Sequence, residues 1–481
     1  MSEKKARYIT TTLPYVNDDP HIGHALEFIQ ADALARYWRL MGHEIFFSTG
    51  TDEHGQKILQ KATEAGQDVQ DYVNHFAARF KKLSRDVFGL SFDSFIRTTD
   101  QKHIQAAQAM WERCQKKGDI YKKKYKGLYC VGCERFIKES DLVDGMCPDH
   151  KKPPVEIEEE NYFFALSKYQ SYLEEYLSTK GVIEPEWRRL EALKFVKDGL
   201  EDFSISREKK RMSWGIPVPG DDTQVIYVWF DALTNYISTL GWPEDKEGNF
   251  KKFWVDGETL QVAGKDQVRF QSIMWQAMLK SAGVPATQKV FYHGFINSGG
   301  QKMSKTIGNV ISPFDMVDRY GLEATRYILL RHVHPTDDSD ITWEKMDEWY
   351  TANLVNGLGN LVARVMKMAE DNIDEPIPEP KPIVFDESYT KNGLESFNFQ
   401  GACDYVWSRI QALDEKITVT EPFKLIKTDK ELGLKLLKEL TLDLYRIGRL
   451  LYPIMPEANV IIKEAVLANK KPENLFRRLG I

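Results

Sequence analysis

Apolar residues recur with two different periods along this chain, and the change of period divides it. Tyr8–Thr12 is a β-prone run, and after the polar stretch that ends at Asp19, Pro20 opens a helical pattern. That pattern runs from Gly23 to Met41, with Ala25, Phe28, Ile29, Ala33 and Leu34 at helical spacing. Glu44–Ser48 then reads as a second strand. Strand, helix and strand in succession predict a parallel sheet with right-handed crossovers. Strand-like runs return at Val225–Phe230, Leu260–Ala263 and Val290–His293, each followed by a helical pattern. The layout predicts an α/β fold, a doubly wound Rossmann-type sheet interrupted by an insertion. Beyond residue 345 the period is helical, in Asn353–Ala369, Cys403–Leu413, Leu432–Leu451 and Ile461–Ala468. Pro376, Pro378, Pro380 and Pro382 form a linker after the first of these, and the region is expected to be an all-α bundle.

Composition adds little to the sheet but much to the insertion. With 42% hydrophobic and 28% charged residues over 481 positions, the chain has the makings of two to four ordinary globular domains. No apolar run follows the early basic residues, and windows such as Val225–Leu233 are too short to span a bilayer. A cytoplasmic protein without a membrane segment is therefore expected. Net charge is −6, yet Lys122, Lys123, Lys124 and Lys126 cluster, as do Lys209, Lys210 and Arg211. Such runs are either solvated faces or phosphate contacts. Cys130-x2-Cys133 followed after thirteen residues by Cys147-x2-His150 has the spacing of a four-ligand structural zinc knuckle. Cys114 and Cys403 are expected to be buried small residues.

Two short motifs carry chemistry. His21-Ile22-Gly23-His24 lies where the first strand passes into the helix. Such a pair either caps the helix or holds a phosphate chain at its positive end, with Gly23 leaving room for a flat base. Lys302-Met303-Ser304-Lys305-Thr306 follows a Gly299-Gly300 turn, and its lysines could stabilise charge on a polyphosphate in the transition state. No Gly-x4-Gly-Lys-Ser/Thr loop is present.

In this order the two motifs resemble the paired signature of class I aminoacyl-tRNA synthetases, with Thr306 where the last residue is usually Ser. Further stretches narrow the resemblance to the methionyl-tRNA synthetase family. They are Leu13-Pro14-Tyr15-Val16-Asn17, Thr49-Gly50-Thr51-Asp52-Glu53-His54-Gly55, Tyr129-Cys130-Val131-Gly132-Cys133-Glu134, Asn161-Tyr162-Phe163-Phe164, Trp214-Gly215-Ile216-Pro217-Val218-Pro219 and Val228-Trp229-Phe230-Asp231-Ala232. The resemblance implies ATP-dependent activation of L-methionine to methionyl-adenylate and transfer to tRNA(Met), with magnesium accompanying ATP. It implies a methionine pocket of Leu13, Tyr15, Trp229, Ala232, Tyr236 and Trp275, with Asp52 on the α-ammonium group. Gly264 and Asp266 match residues that meet ATP, beside Gly23 and the catalytic set His21, His24, Lys302 and Lys305. Asn360 and Arg364 match an anticodon-reading pair, with Phe423 as a stacking aromatic. Gln267, Gln271 and Gln276 stand where the family usually has an apolar residue, a histidine and a proline.

The implied domains are a catalytic nucleotide-binding domain over 1–116 and 222–293, a connective insertion with the zinc knuckle over 117–221, a linking segment over 294–345, and a helical anticodon-binding domain over 346–481. A monomer is expected. Trp229 and Tyr236 argue against a ligand as small as cysteine, and the intact histidines and lysines against a non-catalytic tRNA-binding relative.

Overall fold

The computed structural model describes residues 5–131, 135–148, 151–303, 308–375, 377–380 and 384–480. The chain begins as read: β1 (Ala6–Thr11), helix α1 (Ile22–Leu40) and β2 (Glu44–Thr51) follow one another. With β3 (Ser94–Arg97), β4 (Ile183–Glu184), β5 (Glu258–Gly264) and β6 (Lys289–His293) they make a six-stranded sheet in the order β3-β2-β1-β5-β6-β4. β1 runs parallel to both β2 and β5, β2 to β3, and β6 to β4. Gly50 is required inside β2, because a Cβ there would sit 1.8 Å from the carbonyl oxygen of Ile96 on β3.

One expected strand is different. The Val225–Phe230 run does not enter the parallel sheet. Asp221–Ile226 belongs to a separate three-stranded antiparallel sheet, and the chain turns at Tyr227 into a helix over Val228–Leu233. Apolar residues buried on every side of a short helix look like a strand when only their composition is read.

The chain divides into two compact units. The first comprises Met1–Pro20, His43–Asp86 and Phe92–Tyr292. Its core gathers Tyr8, Met110, Trp111, Phe164, Ile183, Phe230, Tyr236, Trp254 and Trp275. Helix α2 (Gln101–Lys116) packs against the helix Trp275–Ala282, and a four-stranded antiparallel sheet is built on the long pairing of Ile120–Cys130 with Val155–Phe164. That pairing accounts for the lysine run. Lys124 and Lys126 lie opposite Glu160 and Glu158, while Lys126 also pairs with Glu156 at 2.7 Å and Lys122 with Asp221 at 3.0 Å. The run is a neutralised, solvated ladder.

The second unit comprises His21–Gly42, Val87–Ser91 and His293–Ile481. Helix α1 packs on the helix Leu322–Arg331, and Asp32 on α1, fully buried, holds Arg326 at 2.8 Å and Arg36 at 2.7 Å. Arg326 donates its remaining hydrogen bonds to the carbonyls of Pro453 and Ile454. The C-terminal helices Asn360–Asn372, Phe399–Thr420, Lys430–Leu451 and Pro456–Ala468 form a bundle centred on the third of these. The helix expected from Asn353 begins as a π-helical stretch, Tyr350–Gly359. Among the described residues no helix is long and apolar enough to cross a membrane.

Candidate active site

The first histidine motif is a cap. His21 is the N-cap of α1: its Nδ1 accepts from Gly23 N at 3.1 Å, while His24 Nδ1 accepts from His21 N at 3.2 Å. The two rings stack with centroids 3.7 Å apart. Because each Nδ1 accepts a backbone proton, the proton of each neutral ring sits on Nε2. Burial, reinforced by the neighbouring His21 and His293 rings, holds His24 well below the usual imidazole range, so it is neutral at pH 7. The two readings of the motif are therefore compatible. Capping with Nδ1 puts the proton of each ring on Nε2, beside the positive end of a helix. A Cβ at position 23 would stand 3.0 Å from the His21 ring, so a side chain there would crowd the cap.

The second motif begins in the same unit. Ile296–Ser298 and Gln301–Lys302 form a hairpin around Gly299 and Gly300, both left-handed at φ 64° and 74°. Gly300 N donates to Asp340 at 2.7 Å, and Asn309 Nδ2 to Ser298 O at 3.1 Å, which brace the turn. Lys302 ends the second strand through its backbone pairing with Asn297, and Lys305 lies outside the described residues.

In the first unit, Leu13, Tyr15 and Asp52, expected for an amino-acid pocket, follow the carboxyl ends of parallel strands, where open α/β sheets bind ligands. After β1 the chain carries Leu13 and Tyr15, and after β2 it carries Asp52. A short parallel bridge joins them, with Asp52 N donating to Pro14 O at 2.9 Å and Val16 N to Asp52 O at 3.1 Å. Asp52 is buried, while Leu13 and Tyr15 are half-buried. Trp229, Ala232 and Tyr236 stand on the helix Val228–Leu233 and its continuation Asn235–Ser238, broken at Thr234. Trp229 stacks on Phe270 at 3.8 Å, and Tyr236 meets Trp275 at 5.7 Å. Ala232 is buried between them in sequence. After β5, Gly264 leads into a turn on which Asp266 is exposed.

Of the three glutamines, Gln271 and Gln276 are hydrogen-bonded to each other, and Gln267 to its neighbour Asp266. Gln267 Nε2 donates to Asp266 at 2.9 Å, and Gln271 Nε2 to the Tyr236 hydroxyl at 2.5 Å. Gln276 donates to the Gln271 carbonyl at 2.8 Å and accepts from Thr287 N at 3.0 Å. They brace a π-helical turn, Phe270–Met274, of the kind that re-aims side chains at functional sites.

Sequence reasoning missed one constellation. Asp231, fully buried, accepts from His54 Nδ1 at 2.7 Å and from His103 Nε2 at 2.7 Å, and His103 Nδ1 meets Ser238 Oγ at 2.9 Å. Burial pushes the Asp231 pKa up, but the imidazoles of His54 and His103 outweigh it and hold the carboxylate below its usual range. Two of the three lie in stretches singled out for their resemblance. Nothing in the spacing of His54, His103 and Asp231 joins them.

Of the expected zinc ligands, Cys130 and Cys147 are buried in one small cluster with Ile137. Backbone bonds of Cys147 to Lys151 and Lys152 form a tight turn. Cys133 and His150 lie outside the described residues, and among those described no three or more His, Cys, Asp or Glu side chains are arranged so that they could hold a metal ion. Cys114 and Cys403 are buried, with burial raising the Cys114 thiol to about 12. In the bundle, Asn360 is exposed and Arg364, one turn on, pairs with Asp414 at 2.6 Å. Phe423, on the helix Pro422–Thr428, is 47% exposed, enough to offer a ring face.

The family model described as tRNA synthetases class I (M) matches residues 7–154 and 149–366. A methionine–tRNA ligase of Caldanaerobacter subterraneus is 39% identical over 492 aligned positions, spanning 99% of this chain and 74% of that protein. One of Thermotoga maritima is 39% identical over 483, spanning 97% and 76%. Among solved structures, Mycobacterium tuberculosis methionyl-tRNA synthetase in complex with methionyl-adenylate superposes with a TM-score of 0.88 at 33% identity, covering 99% of this chain and 98% of that one. The matched span takes in the capped histidine pair, the Asp52 loop and the cysteine cluster, and this chain belongs to the methionyl-tRNA synthetases of class I.

Proposed function

We propose that the residues described above divide the methionyl-tRNA ligase reaction in two. In the first half, a carboxylate oxygen of methionine attacks the α-phosphorus of ATP, the bond to the β-phosphate bridge breaks, and pyrophosphate leaves. In the second, a hydroxyl of the tRNA's terminal ribose attacks the acyl carbon and AMP departs. Neither step asks the protein for a covalent intermediate; positioning and charge stabilisation carry the rate.

We assign the α-ammonium group to Asp52 and the thioether to an apolar, polarizable pocket of Leu13, Tyr15, Trp229, Ala232, Tyr236 and Trp275. The Nε2–H groups of His21 and His24 face the polyphosphate, Gly23 gives the adenine ring access to the backbone, and Gly264 and Asp266 meet the rest of the nucleotide. Lys302 and Lys305 supply charge as pyrophosphate forms. Magnesium bound with ATP would neutralise phosphate charge. Cys130, Cys133, Cys147 and His150 would hold one zinc ion whose contribution is to fold the insertion. Asn360, Arg364 and Phe423 read the anticodon, on a monomer.

The observation that carries the reading is the backbone bridge that sets a buried carboxylate, Asp52, against the Leu13–Tyr15 segment at the carboxyl edge of the sheet. ATP–pyrophosphate exchange across all twenty amino acids tests it. Methionine alone should support rapid exchange; preference for another amino acid would overturn the assignment. Metal analysis of protein purified without added zinc should return one equivalent, lost in Cys130→Ser, and its absence from the wild type would remove the knuckle.

A further inference from the structure

The two walls of the pocket are separate in the chain. Asp52 stands at the end of β2, whereas Trp229 and Ala232 stand on a helix some 180 residues later. A pocket that measures a side chain must hold its ammonium anchor at a fixed distance from its far wall. The stretch Asp52-Glu53-His54 is pinned on one side by Glu53, whose carboxylate pairs with Arg97 at 2.7 Å and accepts from Thr51 at 2.6 Å. Trp214 Nε1 also donates to Glu53 O at 2.6 Å. On the other side His54 reaches Asp231, which lies in sequence between Trp229 and Ala232 on the opposing wall.

We propose that Asp231 is a positioning residue for methionine, and that the His54–Asp231–His103 bridge fixes the spacing between the Asp52 anchor and the wall carrying Trp229 and Ala232. The inference rests on the methionine pocket assigned above and adds what sets its length. An ionised carboxylate can only accept, so the ring nitrogens facing Asp231, His54 Nδ1 and His103 Nε2, are both donors. His103 Nδ1 is then able to accept from the Ser238 hydroxyl at 2.9 Å, two residues beyond Tyr236. One buried carboxylate thus joins the Asp52 loop, helix α2 and both segments of the pocket helix. The charge suits this geometry, because a neutral amide could satisfy only one of two imidazole donors through its single oxygen without changing a tautomer.

The test is steady-state pyrophosphate exchange with methionine and with ethionine, which is one methylene longer beyond the sulfur. A methylene in an apolar pocket is discriminated by about 10- to 200-fold. In Asp231→Asn the KM for methionine should rise at least about tenfold, that for ATP stay within about twofold, and the methionine-over-ethionine preference fall by about tenfold. A merely structural carboxylate would lower the amount of active protein and leave the ratio of kcat/KM values unmoved. If Asp231→Asn does not fold, His54→Ala removes only the limb that crosses the pocket and should give the same loss of selectivity. His54→Asn, which returns an N–H near the Nδ1 position, should restore it to within about threefold. A folded Asp231→Asn or His54→Ala with unchanged methionine KM and unchanged selectivity overturns the proposal. Asp52→Asn separates the two readings. If it leaves methionine KM unaltered, the pocket assignment itself fails; if it raises KM while the bridge variants do not, only the bridge fails.

Discussion

Two pairs of histidines do opposite work in this molecule. His21 and His24 turn Nδ1 inward to accept backbone N–H groups at the start of a helix, and the function proposed above gives their Nε2–H groups to the nucleotide. His54 and His103 turn N–H donors toward one buried carboxylate and hold protein to protein. The same side chain caps a helix or clamps distant segments together according to whether its partner is a helix terminus or an anion. The pairs also differ in how the chain brings them together. The first is local, within one helical turn; the second spans β2, α2 and a helix beyond the insertion.

The difference should separate in kinetics. The largest effect is expected from His24→Ala, which removes a donor realised in the transition state: exchange should slow by about 100- to 1,000-fold, with methionine KM within about twofold of wild type. Pre-steady-state adenylate formation measures it, and an equal rise in methionine KM would merge the two pairs into one role. Gly23→Ala forces the His21 ring off its stack and should cost about tenfold in kcat, read in the same assay.

pH sharpens the contrast further. His24 is held neutral, so kcat/KM for ATP should show no acid limb from this group near pH 6.5, where a free imidazole titrates. Its depressed folded pKa also means that stability falls as pH drops below about 6.5, because the unfolded chain takes up the proton first. Asp231 acts lower on the scale. Its carboxyl is depressed in the fold, so its contribution is fully present above the unfolded value of about 4 and is lost as pH falls through the folded one. Thermal unfolding of Asp231→Asn against wild type between pH 7 and pH 3 should show the gap closing in acid. The smallest effect on activation is expected from Arg364→Ala. Pyrophosphate exchange should stay within about twofold while kcat/KM for tRNA falls about tenfold or more, as when a guanidinium to a base edge is lost. Retained charging would mean that the Asp414 pair is all Arg364 does.

How far the sequence could be read follows the same division between local and distant. The β1–α1–β2 opening and the helices after Asn360 were legible because their periods are local. The His21–His24 pair was legible as a cap because it sits beside Pro20 at a helix start. The place of Asp52 at the carboxyl edge of the sheet was legible from the strand-end glycine, Gly50, before it. Val225–Phe230 misled because a short helix buried all round has no polar face to betray its period. The lysines of Ile120–Cys130 left solvated face and phosphate contact open in the sequence, because the cross-strand glutamates opposite Lys124 and Lys126 lie more than thirty residues away. His54, His103 and Asp231 could not be joined by any spacing rule, since they come from the loop after β2, from α2 and from a helix more than a hundred residues later.

Calorimetric titration of methionine into wild type, His24→Ala and Asp231→Asn tests the division of labour most directly. Wild-type affinity in His24→Ala, with binding weakened at least about tenfold in Asp231→Asn, is the predicted result. Weakened binding in His24→Ala together with wild-type affinity in Asp231→Asn would contradict it.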